Sequence, residues 1–157
     1  GGMPVGAYGG RKEVMEVVSP VGNVYQAGTL SGNPVAMAAG LAQLHYLNEH
    51  PEVYTHLNAL GEKLYGGMEK MCEELQLPYQ VNHVGSLGSL FFTDQPVVDY
   101  TSAKTSDTKK FAEYFRYMLG NGVYIASSQF EAMFISDAHT DEEIQHTLNI
   151  MHNYFEK

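Results

Sequence analysis

Between Val53 and Leu75 the apolar residues Val53, Leu57, Leu60, Leu64, Met68, Met71 and Leu75 recur at steps of four, three, four, four, three and four. Steps of that size stack side chains on one face of a 3.6-residue helix, so the spacing predicts a long helix with one buried stripe. Pro51 suits its first turn. Gly61 and the pair Gly66-Gly67 each weaken a helix interior by roughly 1 kcal/mol relative to alanine, so close packing or a bend is expected there. The methionines in the stripe read as core filler. A chain of 157 residues can supply one core for such a helix, or a small domain plus a detached piece of another.

The flanking segments suggest what that core contains. Before the stripe, Met3 to Tyr8 reads as a short extended piece and Arg11 to Val18 as a short helix closed by turn chemistry at Ser19-Pro20-Val21-Gly22-Asn23. Pro34 to Glu49 is a second helical pattern, with Val35, Ala38, Leu41, Leu44 and Leu47 offered to one stripe, ended by His50-Pro51. After the stripe, Tyr79 to Val84 and Leu87 to Phe92 read as two strands around a Gly85-Ser86 turn. Thr93 to Ser106 reads as a polar connection. Asp107 opens a helix with Phe111, Tyr114 and Met118 inward, stopped at Asn121-Gly122. Strands are expected at Val123-Tyr124-Ile125 and near Met133-Phe134-Ile135. Thr140-Asp141-Glu142-Glu143 is a capping box for a last helix through Phe155. The fold class that follows is α+β, a small antiparallel sheet covered by helices.

A net charge of −9 argues against general affinity for nucleic acid or for acidic membrane surfaces. No apolar run is long enough to span a bilayer, and no leader is visible, so no membrane partner is expected. The single cysteine, Cys72, fits a reducing, cytoplasmic compartment and lies in a helical apolar pattern as a small core residue. The seven histidines have no metal-ligand spacing, so no metal site is expected.

Two stretches carry candidate chemistry. In Tyr25-Gln26-Ala27-Gly28-Thr29-Leu30-Ser31-Gly32-Asn33-Pro34, Asn33 is an N-cap and Pro34 a first helical residue. Ahead of them Gly28 and Gly32 allow close backbone approach, and Thr29 and Ser31 offer hydroxyls. Exposed amides and hydroxyls without an acid suit a phosphate-sized anion, or else form an ordinary loop feeding a capped helix. The second stretch holds Glu131, set between Phe130 and Ala132-Met133-Phe134. Burial there would fit a carboxylate for proton transfer or for meeting a cation. The other reading is a loop-edge glutamate that points outward.

The run Gly28-Thr29-Leu30-Ser31-Gly32-Asn33-Pro34 resembles the Thr-x-x-Gly-Asn-Pro segment of the class III pyridoxal-phosphate aminotransferases. Met3-Pro4-Val5-Gly6-Ala7-Tyr8-Gly9-Gly10-Arg11, Tyr25-Gln26-Ala27-Gly28-Thr29 and Ser128-Gln129-Phe130-Glu131-Ala132 resemble the aminomutase branch of that family, which acts on glutamate 1-semialdehyde. The resemblance implies a type I transferase fold. Residues 1–50 would be the edge of the large cofactor-binding domain with a connecting helix, and residues 51–157 the small C-terminal domain. It further implies the cofactor pyridoxal 5′-phosphate, passing through its pyridoxamine form, in a homodimer with shared active sites. Gly28 and Thr29 would meet the cofactor phosphate across the dimer interface. Glu131 would be the active-site acid, with Tyr25, Ser128 and Gln129 lining the cleft and Arg11 a candidate charge partner.

By the same resemblance the cofactor-anchoring lysine lies upstream of residue 1, so the chain alone is expected to be inactive. The parent reaction would be an intramolecular amino exchange giving 5-aminolevulinate for tetrapyrrole synthesis. Three departures stand out: Met133 where the family more often has glycine or alanine, Ser127 in place of proline, and Leu87-Gly88-Ser89 without the usual aromatic. Another class III aminotransferase acting between an amino donor and a keto acid is the alternative enzyme. A non-catalytic dimerisation module is the alternative outside enzymes.

Overall fold

Residues 2–156 are described by a computed structural model, in chain order α1 (Lys12–Met15), α2 (Pro34–Glu49), α3 (Glu52–Gly61), a π-helical segment (Glu62–Gly66), α4 (Gly67–Glu74), β1 (Gln80–Val84), β2 (Leu87–Phe91), α5 (Tyr100–Ala103), α6 (Thr108–Gly120), β3 (Met133–Phe134) and α7 (Asp141–Phe155). The chain divides between Pro51 and Glu52 into two compact units.

In the second unit the long apolar stripe is real, but one turn of its helix is wider than the rest. The π segment lies between Gly61 and Gly67, where the glycines signalled a bend. A π turn holds one residue more than an α turn. Here the extra residue brings Leu64 and Tyr65 side by side into the core, Tyr65 at 0% exposure. The sequence trace of this is the doubled step of four at Leu60, Leu64 and Met68. The glycines serve approach. A Cβ on Gly61 would collide with the Gly85 carbonyl oxygen, and one on Gly67 would lie 2.8 Å from Leu148.

The sheet is antiparallel in the order β1-β2-β3. Val84 pairs with Leu87 across a two-residue turn, with Gly85 at φ 54°, the left-handed region glycine enters freely. Gly88 and Leu90 of β2 are buried, whereas Val84 and Phe134 are exposed. The inner face packs on the helices through a cluster that includes Leu60, Met68, Phe92, Tyr114, Met118 and Met151. This is the helix-covered antiparallel sheet the sequence implied.

Caps fix the helix ends as read. The Asp107 carboxylate accepts from the Lys109 and Lys110 N–H groups at 2.9 and 3.0 Å, and Thr140 and Glu143 form a reciprocal capping box. Gly122 at φ 88° follows the end of α6. The acids at these ends are held below their usual range. For Asp107 the Lys110 amide is the leading cause, for Glu143 the Thr140 amide, for Asp99 the Ser102 amide, and for Asp141 the Lys63 ammonium at 2.6 Å. A carboxylate with a lowered folded pKa stabilises the fold above its unfolded value and loses that contribution as pH falls through the folded one. Stability should therefore fall below pH 3.8 to 4.5, the ordinary values of these acids. Urea midpoints measured from pH 7 down to 2 check this, and Asp107→Asn, which keeps the cap without titrating, should flatten part of the drop.

Tyr114 sits at 1% exposure, stacked on Phe155 and edge-on to Tyr154, and its hydroxyl has no hydrogen-bond partner among the described residues. Burial pushes its pKa strongly upward. An unpaired buried hydroxyl costs roughly 1–3 kcal/mol. Tyr114→Phe should therefore raise stability, by about 1 kcal/mol in urea unfolding, where a Tyr→Phe change that broke a hydrogen bond would lower it.

Several expectations are corrected. Val123-Tyr124-Ile125 is not a strand. The Val123 N–H is spent on the Met118 carbonyl at the end of α6, while Val123 and Ile125 pack on the core without a ladder partner. The connection after β2 contains α5, capped by Asp99 and Ser102. It is tied down by a Thr93–Thr105 hydroxyl pair at 2.7 Å and by the Asn82 amide donating to the Val97 carbonyl at 2.7 Å. Cys72 is half-buried against the core, as read; burial, with Glu69 second, pushes its thiol up to about 11.

In the first unit α2 keeps its bounds, with the Asn33 side chain accepting from the Val35 and Ala36 N–H groups. Its stripe is not buried. Ala36 is the one buried residue, while Val35, Met37, Leu41, Leu44 and Tyr46 are exposed. Apolar residues occur all round this helix, so no single face within the unit covers them. α1 stops at Met15, because the Val17 carbonyl and Ser19 amide turn to bond Val24 in an isolated parallel bridge at Val18. Met3 to Tyr8 joins no sheet.

Candidate active site

Two of the predicted site groups form local structures, one in each unit. The first is the loop before α2. The Gly28 carbonyl accepts from the Ser31 N–H at 2.9 Å and the Leu30 carbonyl from the Asn33 N–H at 3.0 Å, giving two successive tight turns. Gly32 lies at φ 74°, and a Cβ on Gly28 would come within 2.9 Å of the Ser31 hydroxyl. The turn thus favours glycine at position 32, while at position 28 the only close atom is a serine hydroxyl that can rotate aside. Tyr25 is 81% exposed, and Arg11, at the start of α1, is exposed without an ion pair among the described residues.

The anion reading of this loop needs one correction. The first amides of α2 are not available to a ligand, because Pro34 has none and Asn33 consumes those of Val35 and Ala36 at 3.1 Å each. Among the donors without a partner within the described residues are the Thr29 and Leu30 N–H groups and the Thr29 hydroxyl, with the Gly32 N–H and the Ser31 hydroxyl beside them, all exposed. Backbone and hydroxyl donors on neighbouring residues with no acid among them are the donor types a phosphate group takes. A hollow of about 290 Å³, lined by Pro4, Val5, Gly28, Leu30, Ser31 and Met37, lies beside them.

The second group is an arch leading into β3. Alternate residues of a strand point their backbone groups to the same edge. On the edge of β2 that faces β3, Ser86 accepts from the Ile135 N–H at 3.0 Å and Gly88 is the register partner of Met133. Beyond Met133 the ladder is continued by side chains. Gln129, at 4% exposure, donates its amide to the Leu90 carbonyl at 2.7 Å and accepts from the Phe92 N–H at 3.4 Å. The Phe92 carbonyl takes the Asp107 N–H at 2.9 Å.

Tyr65 enters the same seam from the π segment. Its hydroxyl donates to the Met133 carbonyl at 2.9 Å, with the Ser86 carbonyl 3.4 Å away. Burial pushes this phenol up to about 12, and the nearby Gly88 backbone amide opposes the shift. The ring occupies the place of a Gly88 side chain; a Cβ there would lie 2.6 Å from it.

Between these supports the chain turns outward. The Ser128 carbonyl accepts from the Glu131 N–H at 3.1 Å and its hydroxyl from the Phe130 N–H at 3.2 Å. Phe130 meets Tyr100 edge-on at 5.9 Å. Glu131 is exposed at the rim of a small hollow it shares with Ser89, Ser128 and Met133. The expected burial of Glu131 among apolar neighbours is thus overturned, because the turn directs residue 131 outward while Gln129 takes the interior position. Gln129, expected to line a cleft, borders this hollow and is also a strut, its amide committed to Leu90 and Phe92 at the β2 edge. Ser128 caps the turn. Tyr65 was not singled out from the sequence as a site residue; its signal was the doubled four-residue step beside it.

Among the described residues no three metal-capable side chains come together, and no helix is long and apolar enough to cross a membrane.

A family model for Aminotransferase class-III matches residues 1–155. Glutamate-1-semialdehyde 2,1-aminomutase 1 of Lachnoclostridium phytofermentans is 61% identical over 155 residues, covering 99% of this chain and 36% of that protein. The chain thus spans about a third of the length of such relatives. Among solved structures, a β-phenylalanine aminotransferase from Variovorax paradoxus matches at a TM-score of 0.76 with 27% identity, over 94% of this chain and 34% of its own. A transaminase with PLP bound matches at 0.69 with 27% identity, over 94% of this chain and 33% of its own. With a family model covering nearly every residue and the fold shared with solved transaminases, the chain belongs to the class III aminotransferase family.

Proposed function

We propose that this chain is the C-terminal part of a pyridoxal 5′-phosphate-dependent aminomutase that converts glutamate 1-semialdehyde to 5-aminolevulinate for tetrapyrrole synthesis. The observation that carries the reading is the 61% identity to an aminomutase over 99% of the chain, which spans 36% of that protein. The compartment is the reducing cytoplasm that a lone half-buried thiol suits.

In this reading the Thr29 hydroxyl and the Thr29 and Leu30 amides hold the cofactor phosphate across a homodimer interface, Gly28 lets the backbone come close, and Tyr25 stands nearby. The bound cofactor supplies the electron sink that lets an amino group leave one carbon and join another in the same molecule. The exposed Glu131 carboxylate receives the substrate's ammonium group and takes the proton from its nitrogen. The anchoring lysine comes from outside this chain. Lys12, Lys63 and Lys70 are in ion pairs, and Lys104 lies over the Tyr100 ring.

The test is made on the longer polypeptide that carries this chain. Glutamate 1-semialdehyde alone should yield 5-aminolevulinate, with no requirement for pyruvate. Turnover only with an amine donor plus a keto acid would make the protein an ordinary aminotransferase and overturn the reading. Thr29→Val should weaken retention of the cofactor by about tenfold in a dialysis titration, the size of one lost hydrogen bond to a charged group.

A further inference from the structure

Glu131 stands in the middle of an arch whose two feet, Gln129 and Met133, are each two residues away. An exposed acid on irregular backbone has no intrinsic reason to occupy one position, since such segments open most easily. A proton-transferring group must be held within about 0.5 Å of its working place. What holds this one is unusual in kind. A regular strand through residues 129–134 would have bonded to β2 through its backbone. Here side chains make the outer bonds instead. The Gln129 amide offers one donor and one acceptor, as a peptide group would, and places them on Leu90 and Phe92. The Tyr65 hydroxyl donates to the Met133 carbonyl at 2.9 Å, tying to the π segment the other foot, where Met133 already pairs with Gly88.

Both clamps are buried, and they come from different elements. Gln129 bonds Leu90 and Phe92 while Met133 pairs with Gly88, so the feet stand on the same-side positions 88, 90 and 92 along the β2 edge. Because the backbone between the feet is free of the ladder, it can turn at Ser128 and project residue 131 outward. The π turn is what delivers the second clamp, by bringing Tyr65 inward beside Leu64.

We propose that Tyr65 and Gln129 are positioning residues for Glu131, two side-chain clamps that fix the arch from which the acid reaches its substrate. This rests on the reading of Glu131 given above. Neither residue touches substrate. Each acts by holding one foot of the arch.

The experiment uses the longer polypeptide with Tyr65→Phe, Gln129→Met and Glu131→Gln, singly and in pairs. Tyr65→Phe and Gln129→Met should each lower kcat about tenfold or more with KM changed by less than about twofold. In the Glu131→Gln background the same changes should cost less than about twofold further, because the group they position is gone. In the cofactor-free protein, amide exchange at Phe130, Glu131 and Ala132 should quicken about tenfold while α7 is unchanged.

Losses that multiply undiminished in the Glu131→Gln background, or exchange that quickens throughout the unit, would mean a general structural role and overturn the proposal. If Glu131→Gln lowers kcat but the clamp variants do not, the proposal alone fails. If Glu131→Gln leaves kcat unchanged, the reading of Glu131 fails and the proposal with it. Should one clamp variant not fold, the other, from a different element, gives the same comparison. Failure of both to fold assigns them to the core and also overturns it.

Discussion

Gly61→Ala is expected to destabilise the unit that holds it by about 2 kcal/mol, lowering its melting temperature on the order of 10 °C. Helix propensity alone argues the other way, since alanine for glycine in a helix gains roughly 1 kcal/mol. Packing decides the sign. The new Cβ would collide with the Gly85 carbonyl oxygen and lie 2.8 Å from the Gly85 carbonyl carbon and 3.1 Å from the Ser86 Cα, all backbone atoms. They cannot rotate aside as a side chain would. Gly85 is held at φ 54° in the hairpin turn, and the Ser86 carbonyl is fixed by the Ile135 amide. Relief therefore requires the hairpin to move off α3. Gly120→Ala is the matched control. No atom lies within 4 Å of a Cβ built there, so the propensity gain should appear and the melting temperature should rise. Thermal unfolding of both variants checks the pair; a gain in both would mean α3 and the hairpin are not in contact as described.

The features legible in the sequence were those set by local chemistry. Asn33-Pro34, Asp107 and Thr140-Glu143 mark three helix starts, and each cap bond is present. The Gly85-Ser86 turn and its two strands follow from the same kind of signal. Features set by partners distant in sequence were not legible. Val123 to Ile125 has strand composition, yet its first amide is claimed by α6 and no neighbour completes a ladder. Glu131 lies among apolar residues in the sequence, yet its exposure is decided by a turn that Ser128 caps and by Gln129 taking the inner position. Gln129 in a loop looks like a ligand group; only the unfilled edge of β2 shows that it is a strut. The loop before α2 was readable in its turns and its free threonine. That Asn33 takes the first helix amides follows from its capping role, and this moves the candidate anion donors back to Thr29 and Leu30.

Glu131→Gln carries the largest expected effect on turnover. The substitution keeps the size of the side chain and its place on the arch while removing the charge and the proton-accepting oxygen. Glu131 makes no hydrogen bond through its carboxylate among the described residues and is exposed, so folding and melting temperature should change little. A general acid–base group contributes typically about 10²–10⁴-fold to a rate. The most direct measurement is therefore kcat for 5-aminolevulinate formation from glutamate 1-semialdehyde by the longer polypeptide carrying Glu131→Gln, at matched cofactor occupancy. A fall of about a hundredfold or more, with the melting temperature unchanged, is the expected result. A kcat within about twofold of the unsubstituted protein would contradict the assignment of this acid to the chemistry.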